Sequence, residues 1–335
     1  MIQETIEIGP IHEWLPGPMK LSLGMSGDRI ISVDARFGYA SREIEKKALG
    51  QHHRRAQLTV GRVEPESALL LDRVFSEAVE KISGVEAGDR VRWIRDITTS
   101  LSELNFQLKY LANMSRRLGV KILFHSILKH RESLLDLLEL LSGSRYGYYY
   151  LIPGGARYDI TEGFQERLDT WSRNFVEDFP RIEALFRWTH VFQNRMRNLG
   201  QVLDRGEFGF VSEASIESTR YGFVSHVESR LIYSLQNCRE MAGEMQELLR
   251  RGSKGEYFGA FVSKAGRISH ERDTLRGAWG IALGLDSEGA VTELELRSPS
   301  SSIVKSIGPA LEGESLEDLA VVLESLSFSI SEIDR

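Results

Sequence analysis

Cysteine is almost absent from this chain of 335 residues, which contains only Cys238. An internal disulfide needs two thiols, and an Fe–S cluster or structural zinc held by thiolates alone needs more. Neither can be built from this chain by itself. Cys238 also lies on an apolar stripe with helical spacing, so we expect it to be a small buried hydrophobic residue.

Long apolar runs are also missing, and the longest, such as 319–323, fall far short of the roughly 18 residues that span a membrane. The opening residues MIQETIEIGP show neither the basic start nor the apolar core of a signal peptide. We therefore expect a cytoplasmic location. The net charge of −6 gives no general basic footprint for nucleic acid.

The composition that is present, 41% hydrophobic and 27% charged residues, is typical of a globular protein with a sizeable core. The sequence contains no internal repeat and no low-complexity linker. We therefore predict a single domain over residues 1–335. P-loop, dinucleotide and nucleophile-elbow motifs are lacking too, so the chain is not expected to bind NADH itself.

Hydrophobic spacing predicts strands near both ends of the chain and helices between them. Alternating residues at 2–35 and a hairpin at 277–296 indicate small antiparallel sheets. The predicted helices cover about 90–117, 122–141, 161–179, 181–197 and 226–250, and residues 198–225 look irregular. The fold class is therefore α+β, with a mainly helical core.

Two local features stand out in this pattern. Residues 105–131 contain no acidic side chain but six basic ones, which indicates a solvated face or a docking surface for an acidic partner or lipid headgroups. Residues 58–84 pair a charged, turn-prone segment with an apolar-faced helix, and Pro65 fits the first turn of that helix.

With these features in place, the chain resembles the large, hydrogenase-like subunit of respiratory complex I and of the energy-converting nickel–iron hydrogenases. The resemblance covers nearly the whole chain. It rests on Gly9-Pro10-Ile11-His12, Gly38-Tyr39, Pro153-Gly154-Gly155, Arg276-Gly277, Pro299-Ser300 and the ending Glu332-Ile333-Asp334-Arg335. The implied fold is that of a nickel–iron hydrogenase large subunit.

In the hydrogenase branch, two Cys-x-x-Cys pairs hold the metal centre. The resemblance puts the first pair at Glu64 and Ser67 and the second at Ser329 and Glu332. Carboxylates and hydroxyls replace thiolates poorly for such soft metals, so we expect no metal in this chain. We name these four the ligand positions.

In the complex I branch, a His and a Tyr bind the quinone headgroup, and their places fall on Pro16 and Pro65. Proline offers no donor for either role. A further family His, near the partner's Fe–S cluster, is replaced by Gly147. Arg62 and Arg145 correspond to arginines that face that cluster, and an ordinary structural role is the alternative for each.

Glu64 and Glu332 leave three alternatives open. If the ligand positions converge, the two carboxylates can form a hard-cation site or a pair that shares a proton. Otherwise Glu332 pairs with Arg62 or Arg335, since structural ion pairs are the commoner case.

The resemblance implies a subunit of a membrane-associated oxidoreductase complex related to NADH-quinone oxidoreductase and hydrogenase, taking part in electron transport. The expected partners are a small Fe–S subunit, which carries the cofactor, and membrane-arm subunits. The chain is expected to lie on the inner face of the cell membrane. Its metal and quinone site would be degenerate, and the chain would not be catalytic on its own. The alternative is a stand-alone ligand-binding or scaffold protein that reuses the fold.

Overall fold

The computed structural model describes residues 4–188, 196, 198–204 and 223–335. Within them the strands are β1 (Glu4–Ile8), β2 (Lys20–Ser26), β3 (Arg29–Arg36), β4 (Leu151–Ile152), β5 (Gly155–Ala156), β6 (Val202–Asp204), β7 (Phe223–Ser225), β8 (Gly266–Arg272), β9 (Trp279–Leu285) and β10 (Val291–Arg297).

The helices before the C-terminal sheet are α1 (Ile44–Ala48), α2 (His53–Val60), α3 (Ala68–Ser83), α4 (Asp89–Arg117), α5 (Lys121–Ser142), α6 (Glu162–Trp188) and α7 (Val227–Arg251). Four short helices follow near the chain end: α8 (Pro299–Ile303), α9 (Ile307–Leu311), α10 (Leu319–Ser325) and α11 (Ile330–Ile333). A 3-10 turn, Pro65–Ser67, leads directly into α3.

Helix α4 runs through the middle of the helical core and contacts α3, α5, α7 and α10. Its leucines and isoleucines recur every three or four residues and are all buried, as their spacing predicts. They are Ile94, Ile97, Leu101, Leu104, Leu108 and Leu111. Helix α7 begins after His226 and buries Cys238 as predicted, and burial raises the pKa of that thiol.

Helix α6 corrects one prediction, because two separate helices were expected on either side of Pro180. The structure instead continues a single helix through Pro180 to Trp188. Phe179 and Ile182 on both sides of the proline are buried in the common core, and this packing outweighs one lost backbone hydrogen bond. The rest of the second predicted helix, apart from Met196, lies outside the described residues.

Two antiparallel sheets flank the helices. The N-terminal sheet has the order β1-β2-β3, and the C-terminal sheet has the order β10-β9-β8 and packs on α3. The sequence predicts the β9–β10 hairpin but not β8, because GRISHER contains a single apolar side chain, Ile268, and no apolar alternation. Residues 198–225, expected to be irregular, include the pair β6–β7.

The C-terminal segment contacts the segment after β3. The carboxylate of Asp334 accepts hydrogen bonds from the backbone N–H groups of Gly38, at 2.7 Å, and Ala40, at 2.9 Å. Arg42 donates to the carbonyls of Arg62 and Val63 at 2.7 and 2.8 Å. These contacts hold the C-terminal segment against the turn before α3.

The architecture confirms the predicted α+β class with a mainly helical core. That residues 1–335 form one domain stays a prediction. Among the helices of the described residues, none combines the length and the apolar character needed to cross a membrane.

Candidate functional site

The four ligand positions lie together in the folded chain. Glu64 precedes the 3-10 turn before α3 and Ser67 ends that turn, while Ser329 precedes α11 and Glu332 lies within it. Both carboxylates are removed from solvent, with Glu64 1% exposed and Glu332 0% exposed. Buried carboxylates need partners, and each of the two has its own set.

Serine hydroxyls supply part of these partners. Ser329 and Ser331 both donate to Oε2 of Glu64, the second at 2.8 Å. Ser300 donates to Oε2 of Glu332 at 2.5 Å. The hydroxyls thus satisfy the oxygens of two buried carboxylates.

Arg276 occupies the space between the ligand positions. Its guanidinium donates to both carboxylate oxygens of Glu332, with Nη1 3.2 Å from Oε2, and it lies 3.3 Å from the hydroxyl of Ser67. Its Cζ stands 3.6 Å from the ring centroid of Phe106. Arg276 is itself buried, so this is an interior ion pair with a cation–π contact.

The predicted partners of Glu332 are therefore wrong. Arg62 is exposed and stacks 5.5 Å from the ring centroid of Tyr148. Arg335 directs its guanidinium to Glu45, at 3.1 Å, and to the backbone carbonyl of Glu332, at 3.0 Å. The prediction of a structural ion pair holds for Glu332, but its partner is Arg276.

A nickel–iron centre does not fit these residues. The four ligand positions offer only carboxylates and hydroxyls, and a guanidinium lies among them. Soft metals favour thiolates, and a buried cation at this place repels another cation. Within residues 4–188, 196, 198–204 and 223–335, no group of three His, Cys, Asp or Glu side chains has the arrangement of a metal site.

Glu66, which the sequence pattern did not single out, completes the cluster. Its Oε1 lies 3.0 Å from Nζ of Lys109 and 3.3 Å from Nη2 of Arg131. Burial, together with a hydrogen bond to Glu64, raises the pKa of Glu66 to about 7. Burial opposes ionisation of Glu64 as well, but the bond from Glu66 and the charge of Lys109 outweigh it and bring its pKa to about 2. The alternative in which Glu64 shares a proton with Glu332 does not hold, because the carboxylate of Glu332 pairs with Arg276.

The basic stretch 105–131 supplies cations to this cluster, which corrects both interpretations for three of its six basic residues, whereas Arg116 and Lys121 are exposed, as a solvated face requires. Lys109 and Arg131 turn inward to Glu66, and Arg117 pairs with Glu324 and binds the carbonyl of Leu15. These three side chains neither form a solvated face nor stand free to bind a partner.

A cavity of about 260 Å³ adjoins the cluster, between the loop after β1, helix α4 and the residues before α11. Pro16 lines it, and Pro65 does not, so the two predicted quinone positions do not face one space. Lys109, Ser329 and Ser331 link its wall to the carboxyl cluster. The wall consists of Pro16, Gly17, Pro18, Ala40, Phe106, Lys109, Tyr110, Asn113, Glu324, Ser327, Phe328, Ser329, Ile330 and Ser331.

The remaining predicted residues, Arg145 and Gly147, lie just after the end of α5, where Arg145 is half-buried and Gly147 is buried. Arg145 contacts Glu132 at 2.5 Å and Asp136 at 3.1 Å, both on the exposed side of that helix. Gly147 has a φ of +71°, and a Cβ there would lie 2.7 Å from Leu69. The backbone explains why glycine, and no histidine, occupies this position.

Comparison with known proteins agrees with this geometry. A sequence model of the family described as "Respiratory-chain NADH dehydrogenase, 49 Kd subunit" matches residues 118–209. An NADH-quinone oxidoreductase subunit of Carboxydothermus hydrogenoformans is 25% identical, with 98% of each chain covered. The alpha subunit of the membrane-bound hydrogenase of Pyrococcus furiosus is 27% identical over 59% of this chain and 46% of its own.

A solved structure gives the fold directly. The structure titled "Structure of the membrane-bound sulfane sulfur reductase (MBS), an archaeal respiratory membrane complex" contains a chain that matches with a TM-score of 0.91. The match covers 99% of this chain and 98% of the other, at 20% identity. The chain resembles the large subunits of complex I-like respiratory complexes. The resemblance and the fold predicted from the sequence are both confirmed.

Proposed function

We propose that this chain is the large, hydrogenase-like subunit of a membrane-associated redox complex, and that its own centre carries no metal. The observation that carries this proposal is the convergence of the four ligand positions, where the Arg276–Glu332 ion pair stands in the place that the resemblance gives to the metal of the hydrogenase branch. The match along almost the full length of both chains supports the role of a subunit.

In this proposal the chain completes the assembly of the complex or transmits movement within it. A centre of carboxylates, hydroxyls and a guanidinium has no redox couple of its own, so electrons would pass through a small Fe–S subunit. Pro16 and Pro65 cannot donate a hydrogen bond to a quinone headgroup. The chain would lie on the inner, cytoplasmic face of the membrane, against membrane-arm subunits.

The surface around Arg62, Tyr148 and Arg145 is the proposed contact with the Fe–S subunit. Arginine and tyrosine are enriched in protein interfaces, and a guanidinium beside a cluster favours its reduced form. The cation–π contact of Arg62 with Tyr148 orders that side chain before any partner binds.

A pull-down in mild detergent tests the proposal. The tagged chain is expected to capture membrane-arm proteins and a small iron-containing subunit, identified by mass spectrometry and iron analysis. Arg62→Glu combined with Arg145→Glu should release the iron-containing subunit. Arg173→Glu is the control, because Arg173 is also an exposed arginine in an ion pair, with Asp169, but lies on α6. Recovery of the chain alone from native membranes would refute the proposal.

A second candidate is a stand-alone ligand-binding protein, favoured by the cavity next to Lys109. It predicts that no partner is captured and that the purified chain retains a small molecule. Mass spectrometry of the denatured protein's supernatant detects such a molecule. Gene neighbours also distinguish the two candidates. Antiporter-like membrane genes and a gene for a small Fe–S subunit beside this one would support the subunit of a complex, and their absence would support the stand-alone protein.

A further inference from the structure

An exposed surface next to the turn before α3 combines arginines with tyrosine rings. Arg62 stacks 5.5 Å from the ring centroid of Tyr148. Arg157 stands beside two rings, 5.7 Å from the centroid of Tyr149 and 5.4 Å from that of Tyr158. Both arginines are exposed. Arginine and tyrosine are the side chains that protein interfaces favour, and we call these residues together the arginine–tyrosine surface.

The arginines of this surface carry charge that the described residues do not balance. In the described part of the chain, no carboxylate pairs with Arg62 or Arg157, nor with Arg54 and Arg55, which are exposed on α2 just before Arg62. Arg145 differs, because three carboxylates of α5 already surround it. Unpaired cations grouped on a chain with a net charge of −6 fit a partner that brings acidic groups.

Tyr149 adopts a backbone conformation that tyrosine rarely takes. Its φ is +56°, in the left-handed region, which costs free energy for any residue with a Cβ. Glycine would adopt the same conformation without strain. The ring of Tyr149 is half-buried and lies beside Arg157, so packing in the core does not account for an aromatic side chain here. The strained position therefore points to a use of the ring at the surface.

Tyr150 fixes the geometry of the surface from inside the protein. Its backbone N–H donates to the buried carboxylate of Asp72 at 3.1 Å, and its hydroxyl donates to the carbonyl of Tyr158 at 2.8 Å. The N–H of Arg157 in turn donates to the carbonyl of Tyr150 at 3.0 Å. These bonds join the two segments that carry the rings of Tyr149 and Tyr158. Arg157 is thus held beside both rings before any partner binds, which lowers the entropy lost on binding.

We propose that the arginine–tyrosine surface binds an acidic segment of the iron-containing subunit, with Arg157 as the central contact. The guanidinium of Arg157 donates to a carboxylate of that segment, while the rings of Tyr149 and Tyr158 exclude water from the pair. Arg145 contributes little, because its charge is balanced within the chain. The identity of the partner rests on the proposed function.

Capture of the iron-containing subunit by the tagged full chain in mild detergent measures the role of Arg157. Arg157→Glu should lower the amount captured by about tenfold or more, since an attractive contact at the centre of the surface becomes repulsive. Arg145→Glu alone should lower it less, and Arg173→Glu on α6 should leave it unchanged. A loss in Arg145→Glu as large as that in Arg157→Glu would overturn the central role of Arg157.

Tyr149→Gly separates binding from folding. Glycine accepts the positive φ, so the thermal midpoint should change little, whereas capture should fall by about tenfold because a ring beside Arg157 is lost. Glu43→Gly is the control, since Glu43 also has a positive φ, +51°, but lies outside the surface. Tyr158→Ala tests the other ring at a side chain that is 52% exposed. Full capture by both ring variants would overturn the role of the rings.

A photo-crosslinking amino acid at position 158 identifies the segment that binds. In the complex isolated from native membranes, it should crosslink to the iron-containing subunit where Asp and Glu outnumber Lys and Arg. Replacement of an acidic residue of that segment by Arg should restore capture by Arg157→Glu, because the two charges are then exchanged. Crosslinks to a neutral or basic segment, or release of the bound material by nuclease, would overturn the acidic partner.

Two outcomes separate failure of the surface from failure of the proposed function. If the wild-type chain captures no iron-containing subunit, the proposed function fails and the partner named for the arginine–tyrosine surface fails with it. If wild type, Arg157→Glu and Tyr149→Gly all capture the subunit equally well, the proposed function stands and the surface is not the docking site.

Discussion

Arg276 and Glu332 form an ion pair inside the protein, with side chains 7% and 0% exposed. They join the loop before β9 to the last helix, α11. The pair stands among residues that correspond to metal ligands in the hydrogenase branch. A cation supplied by the protein here holds together segments that are far apart in sequence.

Replacement of Arg276 by Met should lower the free energy of unfolding by roughly 3–5 kcal/mol, because it leaves the carboxylate of Glu332 buried without its cation. Urea denaturation followed by circular dichroism measures this. The double variant Arg276→Met/Glu332→Leu should recover much of the loss, since neither charge then stays unpaired. Arg173→Met, at an exposed pair, is the control and should be almost neutral. Equal effects of the two arginine variants would contradict the assignment.

Stability should fall as pH rises from about 4.5 to about 7. The pKa values of Glu66 and Glu103 lie at about 7 in the folded chain, mainly through burial, against an ordinary value of 4.5. In this window the folded state holds protons that the unfolded state has released, so higher pH favours unfolding. Urea titrations at several pH values measure the slope.

The double variant Glu66→Gln/Glu103→Gln should flatten this decline. Glu77 shifts in the opposite direction: burial opposes its ionisation, but hydrogen bonds from His270 and Arg73 prevail and lower its pKa to about 2. Its contribution is therefore present above pH 4.5 and is lost as pH falls toward 2. A decline that persists unchanged in the double variant would show that other groups cause it.

Substitution of Gly147 by Ala should destabilise the chain by more than the same change at Gly143. Both glycines have positive φ, +71° and +76°. A Cβ on Gly143 meets nothing within 4 Å, so that change costs only the backbone strain, about 1 kcal/mol. A Cβ on Gly147 meets Leu69 as well. Thermal unfolding of both variants gives the comparison, and equal costs would rule out the clash.

Nickel should not bind stoichiometrically to the purified chain after loading and dialysis, measured by elemental analysis. The ligand positions hold no thiolate, and Arg276 repels a cation among them. One retained nickel per chain, lost again in Glu64→Gln, would contradict this expectation.

The sequence alone predicts much of the fold, because the large helices carry long apolar stripes. Helix α4 repeats buried apolar residues through seven turns, and few other structures satisfy such spacing. Pro180 misled the prediction, because tertiary packing of Phe179 and Ile182 overrides a local helix-breaking preference. Strand β8 gave little signal because one apolar residue, Ile268, stands among charged ones.

The site was less accessible to sequence reasoning. The resemblance identified Glu64, Ser67, Ser329 and Glu332, but it gave no role to Arg276, which is 56 residues from its partner. Glu66 carried no signal apart from its place beside Glu64. A usable signal for the cations did exist, namely the stretch 105–131, which contains Lys109 and Arg131 and no acidic residue. Its pairing depends on the approach of α4 and α5 to the turn before α3, which no local pattern encodes.

The bond from Ser329 to Glu64 spans 265 residues, and it has a consequence for biosynthesis. The ribosome synthesises the N-terminal part first. The turn before α3 is therefore made long before Ser329, and until then the Glu64 carboxylate lacks the hydroxyl that binds it. Until then these groups stay open to water and to chaperones. Closure of the centre therefore requires that the chain has been made as far as Ser329, and a chain truncated before that residue leaves the buried carboxylate of Glu64 without this hydrogen bond.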